Sequence, residues 1–163
     1  TINIQITTPL QAYQFAYIAI DYMSAAAQLD SSEKHYLLPQ LQLTGHAVEC
    51  ALKCYLAAAT SESPKGTHDL ITLCKDSSAI GCGFEDRDIA AITHLSHYYF
   101  RDLATNTKFK ARYPARTAES LGGAIPPTNW FIRIVNHLIG DAAGMVPESY
   151  ATMFDSLQRL DMA

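Results

Sequence analysis

The chain has 163 residues and a formal charge of −4, from 12 Lys and Arg against 16 Asp and Glu. That length is one ordinary domain with enough chain to bury a core. The acidic balance excludes a protein that coats nucleic acid or anionic membrane with its whole surface, while a local basic patch stays open. Charged residues are 17% and hydrophobic residues 48%. So few charges suit a surface partly covered by another subunit, and an oligomer is expected.

The apolar stretch from Leu10 to Leu29 is interrupted by Gln11, Gln14, Asp21, Ser24 and Gln28. An Asp near the middle of a span is costly, so no membrane helix is expected. No Lys or Arg precedes Lys34, which leaves a signal peptide without its cationic start. A cytoplasmic protein is expected. Cys50, Cys54, Cys74 and Cys82 then read as buried thiols and not as a disulfide framework.

Apolar residues recur at helical spacing along nearly the whole chain. The first predicted helix runs from about Pro9 to about Leu29, with Tyr13, Tyr17 and Ile20 on one face and Phe15, Ile18 and Tyr22 on another. Two apolar faces predict burial between neighbours. The second runs from about His35 to about Ala59 on the stripe Leu38, Leu41, Gly45, Val48, Leu52, Tyr55, Ala59. Gly45 costs about 1 kcal/mol there against Ala, and close approach of a partner helix would compensate. Glu49 and Lys53, four apart, read as a surface ion pair.

Thr67 looks like the N-cap of a short third helix, from His68 to about Lys75. A fourth starts near Glu85 with its acids in the first turn. Its expected core stripe is Ile89, Ile92, Ser96, Tyr99 and Leu103. Thr105 to Pro127 reads as a long irregular connection. The fifth helix takes about Thr128 to Ala142, with Phe131, Ile134, Val135 and Leu138 inward. Pro147 opens a C-terminal helix over about 147–161, with Tyr150, Met153, Phe154, Leu157 and Leu160 on its stripe. Only Ile2 to Ile6 alternates like a strand, and one short strand has no sheet to join. The expected fold is all-α, an up-and-down bundle of four to five helices plus a short C-terminal helix. It forms a single domain over 1–163 with its core at about 9–142.

Five of the chain's 12 cations fall between Arg101 and Arg116, against one acid, Asp102. They are Arg101, Lys108, Lys110, Arg112 and Arg116, with Phe109 and Tyr113 among them and Tyr98, Tyr99 and Phe100 just before. Cations bind phosphates and flat rings stack on bases, so the mixture suits a nucleotide or single-stranded RNA. A solvated loop whose rings pack onto the bundle has the same composition. Arg87, His94 and Arg101 repeat every seven residues and line one stripe, either as a polar outer face or as Arg for phosphate with His as a general base. His46, Cys50 and Cys54, and separately His94 and His97, have metal-compatible spacing but lack the tight Cys-x2-Cys knuckle. Neither a metal nor a cofactor is expected.

The series Gly45-His46-x-x-Glu49-x-x-Leu52-Lys53, then Gly66-Thr67-His68-Asp69-Leu70, then Ala111-Arg112-Tyr113-Pro114 resembles the HEPN family (higher eukaryotes and prokaryotes nucleotide-binding domain). The likeness covers roughly residues 10 to 140. It implies an up-and-down helical bundle, commonly homodimeric, that often pairs with a nucleotidyltransferase or acts as a toxin of a toxin–antitoxin system. Active members are metal-independent RNases that use an Arg, four to six residues and a His, in a site formed across the dimer. Arg101-Asp102 best match the family's Arg–polar pair. Where its histidine would fall, this chain has Asn106, Thr107 and Lys108. The resemblance therefore implies nucleotide or RNA binding without cleavage, with Arg101, Lys108, Lys110, Arg112 and Tyr113 as binding residues. Two alternatives stand beside it. One is an RNase using Arg87 and His94, which satisfy the spacing earlier in the chain. The other is a non-catalytic protein-interaction module.

Overall fold

A computed structural model describes residues 7–30, 37–101 and 126–157. Six helices pack together: α1 (Thr8–Asp30), α2 (Leu37–Thr60), α3 (Leu70–Ala79), α4 (Asp86–Tyr99), α5 (Thr128–Met145) and α6 (Glu148–Asp155). No strand occurs among the described residues, and the Ile2–Ile6 alternation lies outside them.

Cross-contacts fix the directions. Thr8 bonds the Ser61 carbonyl, and Gln40 bonds Asp30, so α1 and α2 are antiparallel. Gln40 also reaches Thr128 at the start of α5, which therefore runs alongside α2. Arg133 on α5 holds Asp88 in the first turn of α4, whereas Glu49, well into α2, holds Tyr99 at the end of α4. The four long helices alternate up and down, with α2 at the centre. The short α3 is inserted between α2 and α4, and α6 returns to α1 through Thr7–Tyr150 and Tyr13–Phe154.

Local chemistry sets the helix ends. Pro39 sits in the first turn of α2, where its missing N–H costs no intrahelical bond. The cap of α3 is Asp69, not Thr67: the Asp69 carboxylate accepts from the Ile71 N–H at 3.0 Å, while the Thr67 hydroxyl accepts from the Asp69 N–H. This frees His68 from the helix to point elsewhere. At α4 the carboxylates of Glu85 and Asp88 reciprocally cap the first turn. The same acids answer the positive end of the helix dipole.

Three packing expectations change. The buried seam of α1 is Ala12, Ala16, Ala19, Ile20, Met23 and Ala26, while Tyr17 and Tyr22 are exposed. Alanines let α1 lie close against α2, and the large rings are turned toward the rim and solvent. On α4 the core residues are Ala91, Ile92, Leu95, Ser96, Tyr98 and Tyr99, while Ile89, at the margin of that face in the first turn, is exposed. Leu103 lies outside the described residues. The Glu49–Lys53 pair forms as the spacing predicts, but it is buried: Glu49 is 2% exposed and Lys53 8%. The inward positions of α5 are as expected, and Gly45 is a close-contact position. No described helix is long and apolar enough to cross a membrane.

Candidate functional site: the polar knot and the outer face of α4

The motif residues on α2 and in the α2–α3 turn converge on one carboxylate. Lys53 Nζ donates to Glu49 Oε1 at 2.7 Å. His68 Nδ1 lies 3.1 Å from Oε2 and 3.2 Å from Oε1. The Tyr99 hydroxyl, from the end of α4, donates to Oε2. Its own oxygen then accepts from His46 Nδ1 at 3.2 Å, which places the imidazole proton on Nδ1 and leaves Nε2 facing the Cys50 thiol at 3.8 Å. Burial alone would push the Glu49 carboxyl up. Hydrogen bonds from Lys53, Tyr99 and His68, with the Lys53 charge, outweigh it and hold the group below its ordinary value. Glu49 is therefore a buried anion at neutral pH, with donors on both oxygens.

This knot positions the end of α4. The Tyr99 side chain packs against Gly45 and occupies the space that a side chain there would fill. Its hydroxyl is fastened to α2, so the register and rotation of α4 are set where the helix leads into Arg101.

With α4 so oriented, its outer stripe carries Arg87, His94 and Arg101. Arg87 pairs with Glu85, and its guanidinium lies 5.1 Å from the centre of the Trp130 ring. Arg133, 4.9 Å from that ring centre, is anchored by Asp88 at 2.6 Å. Trp130, the chain's one tryptophan, is thus flanked by two cations. His94 stands edge-on to Tyr98, with ring centroids 5.7 Å apart. Three side-chain atoms on this side are shielded from water and have no hydrogen-bond partner among the described residues: Trp130 Nε1, His94 Nε2 and Arg101 Nε. An unmet buried polar group is costly, and none of the three atoms is open to solvent in this arrangement.

Arg87 and His94 lie two helical turns apart, about 10 Å along the axis, and Arg87 is engaged by Glu85 and Trp130. Within one chain they do not form a joint constellation. Lys108, Lys110, Arg112 and Tyr113 lie outside the described residues, as do Asn106 and Thr107.

All four cysteines are free and buried, as the sequence suggests. Burial, with the Glu49 charge behind it, pushes the Cys50 thiol up to about 12, and burial takes Cys74 to about 11. Neither is a nucleophile at neutral pH. The His94 and His97 rings stand 6.4 Å apart and tilted. Among the described residues, three metal-ligating donors come together in a different place, at Cys82, His137 and Asp141.

Two features of this site escape a sequence reading. Tyr99 reads as plain core, because nothing in its spacing shows that its hydroxyl reaches across to Glu49. Trp130 reads as a helix-start residue after Pro126-Pro127, and only its spacing of three from Arg133 hints at a cation beside the ring. No family model, no curated protein and no solved structure matches this chain.

Proposed function

We propose that this chain is a HEPN-like helical domain that binds a nucleotide or single-stranded RNA along the outer face of α4, without cleaving it. The observation that carries the reading is Arg101. Its guanidinium is permanently charged, and it opens the basic segment that continues through Lys108, Lys110 and Arg112. Phosphate is the acceptor best matched to such a donor. Near the opposite end of the same helix the Arg87 and Arg133 guanidinium groups gather at the Trp130 ring, a second cationic and aromatic patch on this side.

Binding without cleavage follows from the catalytic side. General-base catalysis needs an imidazole within hydrogen-bond reach of the attacking hydroxyl, with phosphate held beside it. Arg87 and His94 are too far apart to do both within one chain, and the residues after Arg101-Asp102 include no histidine in the family position. A homodimer remains part of the proposal on the low charge fraction and the resemblance. Sedimentation at micromolar concentration is expected to give twice the 17.9-kDa chain mass, and a single chain-mass species contradicts it. A nucleotidyltransferase-type protein is the partner class that the resemblance implies.

Fluorescence anisotropy with a labelled single-stranded RNA tests the binding. Affinity should fall as salt rises, and Arg101→Gln should weaken it while flattening the salt slope by about 0.7, one phosphate contact's worth. Lys108→Ala with Arg112→Ala should weaken it further. Binding that is absent at low salt in the wild-type chain would leave the protein-interaction module as the better reading.

A further inference from the structure

At the opposite end of α4 from Arg101, the loop between α3 and α4 meets the last turns of α5. Cys82 comes from that loop, and His137 and Asp141 come from α5, spaced four apart so that both side chains project from one side of the helix. One donor atom from each lies within 4.8 Å of the other two. His137 Nε2 and Asp141 Oδ2 are 3.4 Å apart. Backbone bonds hold the loop in place: the Cys82 N–H donates to the Ser77 carbonyl and the Phe84 N–H to the Cys82 carbonyl, both at 3.0 Å. Gly81 takes a φ of +103° to make the turn that aims Cys82 inward.

We propose that Cys82, His137 and Asp141 form a zinc site with three protein ligands and an open fourth position. The donor set selects the metal. A thiolate disfavours magnesium and calcium, which take oxygen ligands, while one sulfur, one imidazole nitrogen and one carboxylate oxygen suit tetrahedral zinc. Zinc bonds of 2.0–2.3 Å place tetrahedral ligands about 3.3–3.8 Å apart. The widest separation must therefore close by roughly 1 Å. Cys82 is held by its loop, so the closure falls to the His137 and Asp141 side chains, which are 43% and 44% exposed.

The fourth position has room. A cavity of about 270 Å³ lined by Gly83, Phe84, Arg133 and His137 opens beside the site. It can admit a water; Glu85 and Asp88 also line it, and Asp88 holds the Arg133 guanidinium. Bound zinc would also fasten the α3–α4 loop to α5 and add stability that grows with the logarithm of free zinc above the dissociation constant. The spacing pairs singled out from the sequence did not include this set, because Cys82 is remote in the chain from α5.

Titration of the chelator-treated, reduced full-length chain with cobalt chloride, followed by displacement with zinc chloride, tests the site. The expected result is one equivalent of cobalt with a thiolate-to-cobalt charge-transfer band that zinc abolishes. Cys82→Ser should remove that band. His137→Gln and Asp141→Asn, both on the surface, should keep the helical circular dichroism and metal-free unfolding midpoint of the wild type. Each should weaken binding at least about tenfold, the lower end of what even an outer-shell partner contributes. No stoichiometric binding in the wild-type chain would overturn the proposal. So would a band that survives Cys82→Ser, or affinity unchanged in both surface variants.

Discussion

Glu49→Gln is expected to destabilise the protein by about 3–5 kcal/mol, the usual consequence of removing one partner from a buried ion pair. Lys53 would keep its ammonium at 8% exposure with its counter-charge gone. Tyr99 and His68 would lose a charged acceptor for a neutral one. For a chain of this size the unfolding midpoint should fall by roughly 6–20 °C. Replacing both members with apolar residues, Glu49→Leu with Lys53→Met, should recover part of the loss, because no unpaired charge then stays buried. A Glu49→Gln midpoint equal to that of the wild type would place the carboxylate in water. The same group sets an acid limb. Its folded pKa lies below the ordinary 4.5, so the unfolded chain takes up the proton first as pH falls. The contribution is complete well above pH 4.5 and is lost as pH drops through the folded value. Stability measured by denaturant between neutral pH and pH 3 should fall less steeply in Glu49→Gln than in the wild type.

Gly45→Ala is expected to destabilise as well, although helix propensity alone favours Ala by about 1 kcal/mol at a mid-helix position. An added Cβ would lie 2.7 Å from the Tyr99 Cβ and closer still to its ring carbons. The ring is completely buried, and its hydroxyl is tied to Glu49 and His46. It cannot retreat without breaking those bonds. Overpacking of this kind costs about 1–3 kcal/mol, occasionally more, and Gly45→Leu should cost more than Gly45→Ala. Thermal unfolding separates the two effects by sign. A raised midpoint in Gly45→Ala would mean that propensity rules there and that the Tyr99 ring does not seat on α2.

How far the sequence reaches depends on whether a residue's role is local. The long helices and the inward face of α5 are legible, because Phe131, Ile134, Val135 and Leu138 repeat at helical spacing. Gly45 is legible too, since a glycine in an apolar stripe asks for a close neighbour, though not which one. The Glu49–Lys53 pair is legible as a pair and not as buried, because its burial depends on His68 and Tyr99 arriving from other elements. The third-helix cap is misplaced by two residues where Thr67 and Asp69 are both good caps. Only the hydrogen bonds show that Asp69 caps the helix and Thr67 the turn before it. The seam of α1 misleads for a related reason: large rings dominate an apolar pattern, while the small alanines beside them make the contact. At the candidate site, Arg101 stands out in sequence from its charge cluster. Trp130 becomes a site residue only when α5 lies antiparallel to α4.

Because the chain holds a single tryptophan, its indole N–H gives one assignable signal in a nitrogen–proton correlation spectrum. That signal reports on the outer face of α4 through an atom that lacks an internal partner. On titration with a short single-stranded RNA at low salt, the Trp130 Nε1–H and Arg101 Nε–H signals should shift together, saturably. They should return when salt is raised, while the Tyr55 and Phe154 signals stay in place. RNA that leaves both donors unmoved, or shifts signals across the whole protein without saturation, would contradict the account.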